Sequence, residues 1–256
     1  MSEVEELKNA LRKKKQRETP VQPSDLLSTG STLLNLACSG NHLGGFAKGK
    51  YHFLVGDSAS GKTWLSLTCL AEAAMNKEFD GYRFIYDNAE DGALMDISRF
   101  FGAAVEERLE APETASGSPV YSETIEDFYY HLDDAVKEET PFIYILDSMD
   151  SLSSASEQGK FQEQKTAARK GKTTAGSYGD GKAKTNSSNL RKLMPALRAT
   201  NSILIIINQT RDNLGFGFEQ KTRSGGHALR FYATLEVWTS IKSKMKRTIR
   251  GKDREI

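Results

Sequence analysis

Gly56-Asp57-Ser58-Ala59-Ser60-Gly61-Lys62-Thr63 stands between the apolar run Tyr51-His52-Phe53-Leu54-Val55 and the helix-forming Trp64-Leu65-Ser66-Leu67. This is the chemistry of a phosphate cradle. Glycine lets backbone N–H groups approach an anion with no Cβ in the way, and the helix that follows points its positive end at the same place. Residues Gly56, Asp57, Ser58, Ala59, Ser60, Gly61, Lys62 and Thr63 are therefore expected to bind ATP. Lys62 would neutralise the β and γ phosphates, and the Thr63 hydroxyl would hold Mg2+. A lone glycine turn is the plain alternative, but it does not account for the strand before and the helix after.

Outward from this loop the chain repeats the same rhythm of apolar strand, turn and helix. Helices are predicted over 63–75, 123–136 and 188–199, and strands over 51–55, 82–86, 142–146, 203–207 and 233–238. Strands that read as unbroken Ile, Leu, Val and Phe runs are buried on both faces, so an α/β fold with a mostly parallel central sheet flanked by helices is predicted. Residues 1–27 read as a short arm in which Val4, Leu7 and Leu11 share a helical face, either a segment that docks on another subunit or a frayed charged tail. Residues 28–256 read as the core. The stretch 153–188, rich in Ser, Gly, Lys, Gln and Thr, is predicted to be a long mobile loop.

Composition narrows the setting. The chain has 256 residues, 38% of them hydrophobic, enough for one substantial core. No run approaches the roughly 18 apolar residues of a membrane span, and the first residues lack the apolar stretch of a secretory signal, so a cytoplasmic protein without a membrane partner is expected. Cys38 and Cys69 stand apart with no metal-ligand spacing and read as packing residues. The formal charge of +1 hides an asymmetry: acids dominate Lys77 to Glu139, whereas Lys and Arg dominate 8–17, 160–192 and 242–254. Such runs are ordinary solvated faces or the footprint of a polyanion.

Three further strand ends carry candidate chemistry. Asp147, after the run Phe142 to Leu146, is placed to complete the Mg2+ shell with Thr63. Asp87, Glu90 and Asp91, after Phe84-Ile85-Tyr86, are rival general bases for activating water. Asn208-Gln209 ends another strand, where an amide could sense the γ-phosphate or simply cap the strand.

Several separated pieces then resemble the RecA-type recombinase family: Ser28-Thr29-Gly30-Ser31, the phosphate loop, Asn88-Ala89-Glu90, Leu146-Asp147-Ser148, Ile207-Asn208-Gln209-Thr210-Arg211, and Gly225-Gly226-His227-Ala228-Leu229-Arg230-Phe231-Tyr232-Ala233. The last is the most specific. The lysine-rich 153–188 segment and the short arm look more like phage-encoded members, and a bacterial or phage-infected cell is the expected setting.

The resemblance implies a RecA-like P-loop core, Glu90 as the water-activating residue, Lys62 and Gln209 as its catalytic partners, and two loops that bind single-stranded DNA. The first loop offers Lys160, Lys165, Arg169, Lys170, Lys172, Lys182 and Lys184. The second offers Arg211, Phe216, Phe218, Lys221, Arg223, Gly225 and Gly226, with the two phenylalanines either stacking on bases or pinning the loop. It further implies head-to-tail self-association into a filament or ring, with homologous duplex as the second DNA partner. The family usually continues past the fifth strand, so a C-terminally truncated core is expected. A ring helicase motor and an ATP-binding mediator without strand exchange are the rival functions.

Overall fold

The computed structural model describes residue 5 and residues 21–92, 95–170, 181–212, 221–223, 227–243, 246–249 and 252–255. A two-stranded piece, β1 (Leu26–Leu27) and β2 (Phe46–Ala47), brackets helix α1 (Thr32–Ser39). Then follow β3 (Tyr51–Gly56), α2 (Lys62–Ala74), β4 (Arg83–Asp87), α3 (Ile97–Phe101), α4 (Ala103–Arg108) and the short β5 (Leu109–Glu110). A hairpin of β6 (Glu113–Ala115) and β7 (Ser118–Val120) leads to α5 (Ile125–Lys137) and β8 (Phe142–Leu146). The rest comprises α6 (Ala155–Arg169), α7 (Gly181–Ala199), β9 (Ile203–Asp212), β10 (Lys221–Arg223), α8 (His227–Tyr232), β11 (Leu235–Thr239), and a hairpin of β12 (Lys246–Ile249) and β13 (Lys252–Glu255).

Six strands run parallel in the order β11-β3-β9-β8-β4-β5, and β10 adds antiparallel to the end of β9. Successive side chains of a strand point to opposite faces, so the apolar runs feed two cores at once. Phe142, Tyr144 and Leu146 of β8 join Leu204 and Ile206 of β9 against α5 and α7, where Phe128, Leu132, Leu190 and Leu197 are buried. Ile143 and Ile145 join Ile203, Ile205 and Ile207 on the other face, against Leu67 and Leu70 of α2. Cys69 is buried and Cys38 packs against that same layer, as packing residues do. The expected α/β architecture is present. Among the described residues no helix is long and apolar enough to cross a membrane.

Local signals explain the helix starts. Thr124 and Asp127 form a reciprocal capping box at α5, whose buried Ile125, Phe128, Tyr129 and Leu132 fall on one helical face. In Ser28-Thr29-Gly30-Ser31, Ser31 caps α1 and Thr29 donates through its amide and hydroxyl to Asn35 Oδ1 at 2.9 and 2.7 Å. Gly30 sits at φ +76°, where a Cβ would come within 2.4 Å of Thr68 on α2. This motif positions α1 against α2 and is structural.

The expected long loop over 153–188 is corrected. Its described part is helical, with α6 spanning Ala155–Arg169 and α7 starting at Gly181, seven residues before the predicted 188. The missed signal was Ser154-x-x-Glu157, a capping box ahead of Gln, Lys, Glu and Ala, residues with good helix propensity. None of the α6 residues is buried, which is why apolar periodicity gave no warning. Val4, Leu7 and Leu11 of the expected arm lie outside the described residues.

His52 illustrates what two-sided burial does to a polar side chain. It is fully buried on β3, its Nε2 donates to the Ala47 carbonyl at 3.1 Å, and its ring stacks on Phe46 at 4.6 Å. Burial lowers its pKa from the ordinary 6.5 to about 4. A depressed folded-state pKa means that the unfolded chain takes up the proton first, so stability present above pH 6.5 is lost as pH falls toward 4. Between pH 7 and pH 5 this residue alone should cost about 2 kcal/mol. Urea unfolding of His52→Leu should show a shallower loss over that interval than the wild-type chain; equal slopes would mean that His52 is not the group responsible.

Candidate nucleotide site

All four candidate strand ends lie along one edge of the sheet, because parallel strands carry their carboxyl termini to the same side. The loop after β3 is tightly seated. A Cβ on Gly56 would fall 2.1 Å from the Thr239 hydroxyl and 2.5 Å from its carbonyl, and Ser60 meets that hydroxyl at 2.6 Å. Gly61 has φ +92° as the residue preceding α2, a conformation that a side chain would strain. Lys62 folds back into the loop it follows. Its ammonium donates to the Gly56 carbonyl at 3.0 Å and to that of Asp57 at 2.7 Å, acceptors that phosphate oxygens can replace. Burial lowers the Lys62 pKa, and the carboxylates of Asp147, Glu90, Asp150 and Asp57 oppose that shift.

Thr63 and Asp147 touch one another. The Thr63 hydroxyl donates to Asp147 Oδ2 at 2.6 Å, and Tyr86 donates to the same oxygen at 2.9 Å. Burial and the Asp147 carboxylate push the Tyr86 hydroxyl pKa far up, so it remains a donor. Asp147 Oδ1 is buried with no partner among the described residues. An orphaned buried carboxylate oxygen is costly, and a hard divalent cation is the ligand that offsets the cost. The Thr63 hydroxyl hydrogen is committed to Asp147, which leaves its lone pairs for the same ion. These two residues thus fit Mg2+.

The three rival carboxylates separate by environment. Asp87 is fully buried and accepts from the Ser122 amide and hydroxyl at 2.9 and 2.6 Å and from Tyr144 at 2.8 Å, so it is a structural strut without access to water. Asp91 is exposed at φ +49° and does not line the cleft. Glu90 does, with its amide donating to the Asp147 carbonyl at 2.9 Å and its Oε1 accepting from Gln209 Nε2 at 2.7 Å. Two residues that sequence reasoning missed hold Gln209 in register: Asp150 accepts from the Gln209 amide, and Thr210 donates to Asp57 of the phosphate loop. The cleft encloses about 320 Å3 between Ser58 to Trp64, Glu90, Gly92, Met95, Asp147 and Gln209.

The candidate DNA residues are distributed differently. Lys160, Lys165, Arg169 and Lys170 lie exposed along α6 and its end, and Lys184 is exposed on α7. Lys182 instead donates to the Leu152 carbonyl at 2.8 Å and pairs with Glu157 at 3.1 Å, tying the starts of α6 and α7 together. Arg211, Lys221 and Arg223 lie on the β9–β10 ribbon, in which Arg211 pairs with Thr222 and Arg223 with Thr210. Lys172, Phe216, Phe218, Gly225 and Gly226 lie outside the described residues.

The family model for the RecA N-terminal domain matches residues 143–255, from β8 through β13. That match covers less than half of the chain, and the mostly parallel, helix-flanked sheet is consistent with a RecA-like core. Protein RecA of Mesoplasma florum is 27% identical over 215 residues, 83% of this chain and 56% of the relative. Protein RecA of the Wolbachia of Brugia malayi is 28% identical over 247 residues, 94% of this chain and 61% of the relative, a span that includes the phosphate loop. Protein RecA of Bdellovibrio bacteriovorus is 27% identical over 226 residues, 86% and 51% respectively. The chain thus spans between half and two thirds of the curated relatives it matches. Asp147→Asn should remove the charge suited to holding a divalent cation while keeping the side-chain volume. Calorimetric titration with ADP should then show affinity that no longer responds to Mg2+, whereas the wild-type chain gains about ten-fold or more on adding the metal.

Proposed function

We propose that this chain is the ATP-hydrolysing core of a recombinase that binds single-stranded DNA in homologous recombination and repair, assembling head to tail with nucleotide near the contact between subunits. The observation that carries this reading is the Gln209 to Glu90 hydrogen bond, 2.7 Å long, made by the residue immediately before the paired β9–β10 ribbon begins at Thr210. One amide thus stands between the residue suited to activating water and the strand pair suited to DNA.

The steps follow from the side chains. Lys62 exchanges its two carbonyl partners for phosphate oxygens, and the loop amides with the α2 terminus take up the remaining charge. Thr63 and Asp147 would hold Mg2+, which would supply positive charge against that of the phosphates. Glu90 accepts a proton from the attacking water, and the Gln209 amide, released from Glu90, donates to the γ-phosphate. Loss of that phosphate returns Gln209 to Glu90, and the ribbon that continues from Thr210 follows. Cations on α6, α7 and the ribbon supply phosphate contacts, and the name Protein RecA shared by the relatives supports the DNA reading. Heterologous contacts between copies generate a helical filament when the rotation does not close.

Binding of labelled single-stranded DNA should tighten with a non-hydrolysable ATP analogue and weaken as salt rises. Affinity indifferent to nucleotide would remove the coupling from this account. Glu90→Gln should retain nucleotide binding while phosphate release falls by about 100-fold or more; unchanged turnover would take the role of base from Glu90.

A further inference from the structure

A separate cavity of about 350 Å3 opens at the other end of the sheet, where β3 begins rather than where it delivers the phosphate loop. Its size falls within the roughly 300–1,000 Å3 of pockets that hold small molecules. The walls come from α1, β2, β3 and the start of β11, with Val21, Leu26, Cys38 and Leu235 contributing apolar surface. Leu26 is buried, whereas Val21 and Gly40 stand exposed at the mouth. The loop from α1 to β2 that frames this mouth is fixed by its own hydrogen bonds. Asn35, buried in α1, donates through Nδ2 to the His42 carbonyl at 3.1 Å, the Leu43 amide donates to Asn41 Oδ1 at 2.9 Å, and the Gly45 amide donates to the Leu27 carbonyl at 2.9 Å. A frame held in this way is preorganised for an occupant.

One polar residue of the wall is left unsatisfied. His52 lies opposite Leu235 in the parallel pairing of β3 with β11, and both belong to the cavity. The Ala47 carbonyl can only accept, so the proton of the neutral ring sits on Nε2, which donates to it at 3.1 Å. Nδ1 then carries a lone pair, and it is buried with no hydrogen-bond partner among the described residues. Burial keeps the ring neutral, with its pKa lowered to about 4. A buried acceptor without a donor is costly, and an occupant that brings a donor recovers the cost. Apolar walls disfavour an ionic occupant, and a ring nitrogen without a proton gives an anion nothing to accept.

We propose that this cavity is a binding site for a small uncharged molecule, largely apolar and bearing one hydroxyl or N–H group, which donates to His52 Nδ1. The site is distinct from the nucleotide cleft, from which it is separated by the length of β3.

Phenol is the probe, and toluene is the control that lacks a donor. In the full chain carrying 15N-labelled histidine, phenol should move the His52 Nδ1 resonance upfield, as accepting a hydrogen bond does, and toluene should leave it in place. Both probes should slow the alkylation of Cys38 by iodoacetamide, while Cys69, fully buried with its thiol pKa pushed up by burial, stays silent. In His52→Phe, which keeps a ring in the wall, the ratio of phenol to toluene affinity should fall about five-fold, the worth of one neutral hydrogen bond. Cys38→Phe fills the cavity from α1 and should abolish the phenol-induced shift. The Nδ1 resonance is read in the unsubstituted chain, so it decides the matter even where a variant fails to fold. Protection of Cys38 by phenol without movement of Nδ1 overturns the assigned ligand chemistry. Undiminished alkylation with both probes, or a shift that persists in Cys38→Phe, overturns the site itself.

Discussion

The parallel pairing of β3 with β9 is the constraint from which the site follows. Val55 lies opposite Asn208 and Gly56 opposite Gln209, so the first residue of the phosphate loop and the amide that reaches Glu90 are fixed side by side by backbone hydrogen bonds. A slip of one residue in this register would turn Ile205 and Ile207 to the wrong layer and move Gln209 away from Glu90 together. Core packing and site geometry are therefore set by the same ladder. On the far side of β9, the pairing with β8 places Leu146 against Ile206, which brings Asp147 and Asp150 to the same edge.

Burial assigns roles among chemically similar groups. Asp87 and Glu90 are three residues apart, but Asp87 is enclosed by Ser122 and Tyr144, whereas Glu90 has left the sheet and faces the cleft. Desolvation raises the Asp87 pKa while its three donors oppose the rise, a balance that suits a strut and leaves no capacity for exchanging protons with water. Ser122 passes the contact on to His131 Nδ1 at 2.9 Å, so the strut connects β4 to α5. Likewise Asp147 divides its two oxygens, Oδ2 held by two hydroxyl donors and Oδ1 buried with no partner among the described residues.

Much of this was legible in the sequence. The runs Tyr51 to Val55, Phe142 to Leu146 and Ile203 to Ile207 announced buried parallel strands, and the residues at their ends proved to share one cleft. The choice among Asp87, Glu90 and Asp91 was not legible from position alone, because three carboxylates in five residues differ only in which way the chain turns after β4. Asp150 carried no pattern, and Thr210 stood in the Ile207 to Arg211 stretch with no role attached, since each acts through one contact to a segment at least 59 residues distant. Helix α6 was read as a loop because helical periodicity is visible only when one face is apolar, and this helix has no buried face.

A helix held by its Ser154 cap, local propensity and the Lys182 to Glu157 tie contributes little to the two cores, so its surface can change charge or shape at small cost to folding. The nucleotide edge has no such freedom: Gly56 is confined by Thr239, and Gln209 by Glu90 and Asp150. Variation among descendants of this chain should accordingly collect on α6 and spare the sheet edge that carries Gly56 and Gln209.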